Sequence, residues 1–454
     1  MTVLGAHLDD AEFAVARDGA TLASAPSIVH ADPSDPSRFG TPAADTARRT
    51  PHLVSLTHWS SLARGAALAL PVQSVLRAEL RERLGAFHRP GDSLQLAVPA
   101  ALEAPALGWV LGACRAESLP VAALHDGAAV AVSALGLQGT VVVLEAGLHH
   151  LGAVRVVTKG GTARRRAARV TRDTGLMALR QAWMQLVAEA MLLRSRFDPL
   201  HDAASEQRLF GRIMPAAAEA ATEGSVTLEL PTGGLPCAVT LSRDQFAAAA
   251  RPAQRALLSS IDGLRPPGAP FTLLVPAALL AVPGLAPSLL ALPNSRVVVL
   301  PSDLIARAVS MLSAESAAAD ESAEVLLHRA VPQMLPLEVA SELVAGTNDP
   351  PHRAPPTHVL WEGQALPLVG ALEVGRAPAA GGVRLGDGLA GISRMHCSLR
   401  TSASGVELVD HSRFGTWLNG RRVAGRASLA AGDRIRVGDP GVELALIAVG
   451  ADPR

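Results

Sequence analysis

Between Leu372 and Gly438 the chain is cut repeatedly by Gly, Asp, Asn or Ser, and the pieces left between the cuts are too short for helices. The pieces from Leu372 onward are Leu372–Val374, Val383–Leu385, Cys397–Arg400, Val406–Val409, Thr416–Leu418, Arg434–Val437 and Val442–Ile447, each β-branched or alternating in polarity. Short strands at regular turn spacing predict an all-β sandwich. Asn419-Gly420, lying between Thr416–Leu418 and Arg421–Val423, predicts a type I′ hairpin turn. A sandwich has no deep cavity, so binding chemistry falls on the loops at one end.

Two of those loops carry arginine, at Arg376 and at Ser393-Arg394, the second beside a hydroxyl. A guanidinium fork beside a small hydroxyl donor suits a phosphate group. The ordered motifs Gly375-Arg376, Ser393-Arg394-Met395-His396, Asp410 to Gly420 and Leu429 to Gly438 resemble those of a forkhead-associated (FHA) domain, over roughly Pro356 to Gly450. The resemblance implies an FHA/SMAD-like sandwich that binds phosphothreonine peptides. Arg376 and Ser393 would hold the phosphate, and Arg394 would contact phosphate or peptide. His396 would brace the loops, and Gly375, Gly415, Thr416, Asn419 and Gly420 would be architectural. Many members of the family have Thr-Asn where this chain has Arg413-Phe414. Arg413 is then either a further phosphate or acid contact or a solvated loop residue, and Phe414 either an apolar platform or loop packing. A Ser/Thr kinase and phosphatase are the implied regulatory partners.

Length and composition bound the rest. At 454 residues, 49% hydrophobic and 18% charged with no net charge, the chain suits about three globular domains and gives no sign of nucleic acid as a partner. Lys159 is the only lysine and Tyr is absent, a compositional bias toward Ala, Arg, Gly and Pro. Cys114, Cys237 and Cys397 are far apart, without metal-ligand spacing, which points to a reduced, cytoplasmic compartment. The N-terminus does not read as a secretory signal. Pro266 to Ser295 carries no charge and so mimics a membrane span, but Pro276, Pro283, Pro287, Pro293 and Gly284 would break a single helix; a buried strand, a turn and a short helix fit better, and no membrane insertion is expected.

The first three-quarters alternate strand and helix. Strands are predicted at Thr2–Leu4, Phe13–Ala16, Leu94–Val98, Val121–Leu124, Thr140–Leu144, Ala153–Val157, Phe271–Val275 and Arg296–Val299. Helices are predicted at Leu76–Phe87, Thr174–Phe197, Ala217–Ala221, Arg243–Ile261 and Leu304–Ser313, giving an α/β unit over 1–312. The order of Val3–Ala16, Leu96 to Ala100, His125 to Val130, Val142 to Gly147, Arg243 to Phe246 and Leu273 to Pro276 resembles the two-lobed, RNase H-like actin-like ATPase fold in its DnaK-type form. That family's first phosphate loop pairs an aspartate with glycine and hydroxyl residues. Here the loop reads Gly5-Ala6-His7-Leu8-Asp9-Asp10-Ala11-Glu12, with acids where phosphate would sit, and the second reads Glu145-Ala146-Gly147-Leu148-His149-His150. The adenosine-side glycines become Pro276-Ala277. The expectation is a degenerate domain without ATPase chemistry and without cofactor; the alternative is a divergent ATPase using Asp9, Asp10 and Glu145.

His149-His150 lacks a third ligand, so no metal site is expected. Arg164-Arg165-Arg166 with Arg169 and Arg172 reads as a solvated loop or an anionic-partner surface. Residues 313–355 read as a linker, helical over Ser316–Leu327 and Pro-rich at its end, with Thr347 and Thr357 as candidate phosphorylation sites in or beside it. The whole predicts a non-enzymatic phosphothreonine-binding adaptor with an FHA domain at 356–454. The rivals are an ATP-driven chaperone-like enzyme and a phosphorylation-independent scaffold of a secretion or division machine.

Overall fold

The computed structural model describes residues 2–32, 34, 38–65, 68–231, 236–313, 327–334, 337, 342–343, 356–361, 363–386, 391–402, 405–418, 421–423, 425–429, 431–438 and 441–447. The chain divides into two compact units, Met1–Ala345 and Gly346–Arg454.

The first unit opens on an antiparallel meander of β1 (Val3–Leu8), β2 (Phe13–Arg17) and β3 (Ala20–Ala25). Asp18 and Gly19 take positive φ and turn β2 back into β3. The chain leaves through β4 (Val29–His30), α1 (Thr41–Ala44), β5 (Val54–Ser55), α2 (His58–Ala63) and α3 (Leu70–Gly85). It returns as β6 (Ser93–Val98), parallel to β1, then crosses through α4 (Ala104–Ala116) to β7 (Val121–Asp126) and ends this half with α5 (Gly127–Ala134).

The second half repeats the plan. A meander of β8 (Gly139–Ala146), β9 (His150–Lys159) and β10 (Thr162–Arg172) is followed by α6 (Leu176–Ser195), α7 (Ala203–Glu223), the hairpin β11 (Ser225–Leu230) with β12 (Cys237–Ser242), and α8 (Arg243–Asp262). β13 (Phe271–Pro276) returns parallel to β8, and α9 (Ala277–Leu280) and α10 (Leu285–Leu290) lead to β14 (Ser295–Leu300), with α11 (Leu304–Ser310) last. The orders β3-β2-β1-β6-β7 and β10-β9-β8-β13-β14 are one arrangement used twice.

Three short strands lie in the stretch read as a linker, and they belong to these sheets: β15 (Leu327–His328) extends beyond β7, β16 (Ala330–Pro332) beyond β10 and β17 (Glu342–Leu343) beyond β14. The helix expected at Ser316–Leu327 lies, but for Leu327, outside the described residues. The Arg164 to Arg172 run is the strand β10 and not a loop. Its Arg164, Arg166, Arg169 and Arg172 face solvent while Ala163 is buried, and a bulge between Arg165 and Ala167 shifts the alternation.

The last helix of each half packs on the other half's sheet. In α5, Gly-Ala-Ala-Val-Ala-Val-Ser-Ala is buried throughout against Val141, Val143, Val154 and Val156. Such all-round burial leaves no amphipathic signature. Asp126 caps this helix by accepting from the Ala129 amide at 3.0 Å. α11 lies across β1 and β2, with Ala306 against Ala14 and Ala16. At Gly5 a Cβ would collide with the Ser310 amide nitrogen and the Ala306 carbonyl oxygen, both rigid backbone. Gly5→Ala is therefore expected to cost about 1–3 kcal/mol, read as a fall in Tm. Gly108→Ala, in α4 with open space at the Cβ, is expected to be neutral or stabilising by up to about 1 kcal/mol.

A sealed ionic knot joins the segment after β3 to α2 and α3. The Glu79 carboxylate accepts from Ser27 Oγ at 2.6 and 2.5 Å, Trp59 Nε1 at 2.8 Å, His58 Nε2 at 3.0 Å and Arg83 Nη1 at 3.1 Å. Ser27, His58 and Glu79 are fully buried. Although it joins a serine, a histidine and a glutamate, the serine donates to the acid, and there is no room for a substrate.

The second unit is an all-β sandwich. Its strands are β18 (His358–Trp361), β19 (Gln364–Pro367), β20 (Ala371–Gly375), β21 (Val383–Arg384), β22 (Cys397–Ser402), β23 (Gly405–Asp410), β24 (Thr416–Leu418), β25 (Arg421–Arg422), β26 (Arg426–Leu429), β27 (Arg434–Val437) and β28 (Val442–Ile447). They form sheets of order β19-β18-β28-β27-β24-β25 and β21-β20-β22-β23-β26. Val374, Leu399 and Leu408 of one sheet and Ile435, Val437, Leu444 and Leu446 of the other are fully buried and make the core between them. Asn419-Gly420 lies outside the described residues, as does Thr347. Thr357 starts the sandwich, its amide donating to Ile447 O at 3.0 Å and its carbonyl accepting from Leu368 N at 2.8 Å, so its backbone is not that of a free spacer. All three cysteines are buried free thiols. No helix among the described residues is long and apolar enough to cross a membrane.

Candidate functional site

One end of the sandwich gathers three loops. β20 ends at Gly375, and the Arg376 amide donates to Ser393 O at 3.1 Å, the Ala377 amide to Arg394 O at 2.9 Å and the His396 amide to Val374 O at 2.8 Å. These bonds close the loop after β20 onto the loop before β22. Any Cβ at Gly375 would meet the Arg394 carbonyl, which explains the glycine.

His396, fully buried, fixes the third loop to the second. Its Nδ1 accepts from the Ser393 amide at 3.2 Å and its Nε2 donates to Gly415 O at 2.9 Å, partners that assign the tautomer. Asp410 organises the third loop, its Oδ1 accepting from the Thr416 hydroxyl at 2.7 Å and the Ser412 amide at 3.0 Å. Burial would raise the Asp410 pKa, but these hydrogen bonds outweigh it and hold the carboxyl below its ordinary value. Ser412 Oγ accepts from the Gly415 amide at 2.7 Å, and Gly415 has φ 97°, a conformation that favours glycine.

On this frame Arg376, Arg394 and Arg413 are exposed and Ser393 is half-buried. Ser393 Oγ accepts from the Arg413 amide at 3.4 Å, which leaves the hydroxyl hydrogen available to a ligand. None of the three guanidiniums meets a carboxylate among the described residues. Sequence reasoning missed Arg422: its guanidinium Nε lies against Gly415, at 2.7 Å from where a Cβ would stand. Only the pairing of β24 with β25 carries it there, and no local signal marks it. Met395 and Phe414, on the same loops, are 40% and 56% exposed. Donors without acceptors, flanked by apolar surface, suit a doubly charged phosphate on a peptide.

The first unit has a different cleft, about 140 Å³, at the carboxyl ends of β1, β8, β13 and β14. That is where open α/β sheets place ligands. Asp9, Glu12 and Glu145 line it, with Asp10 beside them. The backbone donors an anion would use are taken by the protein's own carboxylates. Asp10 Oδ1 accepts from the Leu148 amide at 2.7 Å, Glu145 from the Ala100 amide at 3.0 and 3.1 Å, and Asp9 Oδ1 from the Ala11 amide at 2.8 Å. At Gly147 a Cβ would meet the His150 ring and Asp10, so the second loop is filled.

Burial pushes the Glu145 carboxyl up to about 7, and burial with the neighbouring Asp10 charge pushes Asp9 well above its ordinary value. Burial lowers His7 to about 4, so its imidazole is neutral. His149 Nε2 bonds to Leu56 O at 2.8 Å, and no group of three metal-ligating residues forms among the described residues.

Comparison with known families places the description FHA domain on residues 372–438, the stretch that carries the three loops. The C-terminal sandwich is thus an FHA domain, a phosphothreonine-binding protein-interaction module. No curated protein matches the chain.

Proposed function

We propose that the chain is a non-enzymatic adaptor whose sandwich captures phosphothreonine-bearing partner proteins through Arg376, Ser393 and Arg394, with Arg413 and Arg422 adding positive charge. The observation that carries this reading is the set of exposed guanidiniums and the Ser393 hydroxyl on loops locked together by His396. A Ser/Thr kinase and a phosphatase would then switch binding on and off by local charge. The test offers the full chain a pair of threonine peptides differing only in the phosphate. Binding to the phosphorylated member alone is expected; equal binding of both would favour a phosphorylation-independent docking surface.

For the first unit we infer a folded interaction scaffold derived from a two-lobed actin-like domain that no longer uses nucleotide. The repeated sheet order and the exchanged end helices support the ancestry. The carboxylates that already occupy the loop amides support the loss of nucleotide. Magnesium-ATP at millimolar concentration is accordingly expected to leave the Tm unchanged, since only a ligand that binds the folded state raises it. A saturable rise of several degrees would instead favour the divergent ATPase.

A further inference from the structure

In the cleft of the first unit the walls and the polar groups ask for opposite things. Val143, Leu144, Leu300 and Ile305 make it apolar, yet Asp9 and Glu145 face into it. His7 also lines it; only 9% exposed, its ring Nε2 lies beside Gly127 on the cleft wall and makes no hydrogen bond among the described residues. A buried ring nitrogen left unpaired costs free energy until something bonds to it. An anion is repelled here. A bare divalent cation lacks the oxygen-rich cage it needs, since no group of three metal-ligating residues forms among the described residues.

We propose that this cleft is a binding site for a small aliphatic diamine, its ammonium groups taken by Asp9, Glu145 and the neutral imidazole of His7, and its methylenes packed on the apolar walls. An ammonium brings three donors and no acceptor, the complement of two carboxylates and an imidazole lone pair. The size agrees: a cavity of about 150 Å³ takes a benzene-sized ligand, about six heavy atoms, and diaminobutane has as many.

The proton balance agrees as well. Burial, with the charge of Asp126 set against that of Arg165, holds Glu145 up at about 7, and burial with the charges of Asp10, Glu145 and Glu12 holds Asp9 above its ordinary value. A bound dication would favour their ionised forms, releasing protons and binding more tightly as the pH rises from 6 to 8. The site is independent of the phosphothreonine reading, because it uses no residue of the sandwich.

The test titrates the full chain with 1,4-diaminobutane, 1,4-butanediol and magnesium chloride separately, by calorimetry and thermal shift. Saturable one-site binding of the diamine with a raised Tm is expected, and none of the diol. Asp9→Asn and Glu145→Gln should each weaken diamine binding at least tenfold. Asp9→Asn should also keep or raise the Tm of the unliganded protein, because it removes a repelled buried carboxyl, so lost binding in it cannot be ascribed to unfolding. Equal response to the diol, no response to the diamine, or stabilisation by magnesium alone would each overturn the proposal. Phosphopeptide binding should be the same in both variants, which keeps a failure here separate from a failure of the adaptor reading.

Discussion

Arg376→Ala is expected to abolish phosphothreonine-peptide binding at micromolar protein, a loss of about a hundredfold or more in affinity. Hydrogen bonds to a charged group contribute about 1.5–3 kcal/mol each, and a guanidinium can make two to one phosphate, so roughly 3 kcal/mol is at stake. Arg376 is exposed and its guanidinium has no partner among the described residues, so its removal strands nothing in the unbound protein and the Tm should not move. Ser393→Ala should cost less, about tenfold, as it removes one donor and the acceptor for the Arg413 amide. His396→Ala should lose both binding and stability, because the ring holds two loops rather than the ligand. Titration of a fluorescent phosphopeptide alongside thermal denaturation separates these cases. Undiminished affinity in Arg376→Ala would sink the assignment of the site.

The second large effect is on stability. Glu79→Ala is expected to destabilise the first unit by about 3–5 kcal/mol, the cost of breaking a buried ionic group by removing one partner. The change leaves Arg83, His58 and the Trp59 indole facing a void, and Glu79→Gln, which keeps the volume, should lie in between. The same knot sets an acid limit. Burial acts to raise Glu79, but the hydrogen bond and charge of His58, the charge of Arg83 and the Ser27 hydroxyl outweigh it and hold its pKa down to about 2, against an ordinary value of 4.5. Its contribution is therefore full above about pH 4.5 and is lost as pH falls through 2. Chemical denaturation of wild type and Glu79→Gln at pH 6 and pH 3 should show the gap between them narrowing at the lower pH.

What could be read from residues alone followed where the signal is local. The strands predicted between Leu372 and Ile447 form where alternation and turn residues put them, because a half-buried strand writes its own pattern, while β26 carries no such mark and was missed. β10 was hidden because four of its arginines face outward and its bulge breaks the alternation. α5 was hidden because burial on every side erases helical periodicity. The strands β15, β16 and β17 are two or three residues long, and partners far away in the sequence specify them. In the loops, Arg376, Ser393, Arg394 and Arg413 are marked by neighbours in sequence, whereas Arg422 reaches Gly415 only through strand pairing. The acidic character of the cleft was legible at Asp9, Asp10 and Glu145. That these carboxylates bond the opposing amides was not, for it depends on a loop 138 residues away.

The crossing of α11 over β1 ties the start of the first unit to its end. β1 is central in its sheet, yet its Gly5 is covered by Ala306 and Ser310. During synthesis at about 5–20 residues per second, roughly 300 residues separate the two, so the strand waits about 15–60 s for its cover. Over that interval apolar sheet is open to solvent and to other nascent chains. Completion of the first unit is thus a late, non-local event, slow by the measure of contact order, and its yield will depend on what shields β1 on the ribosome.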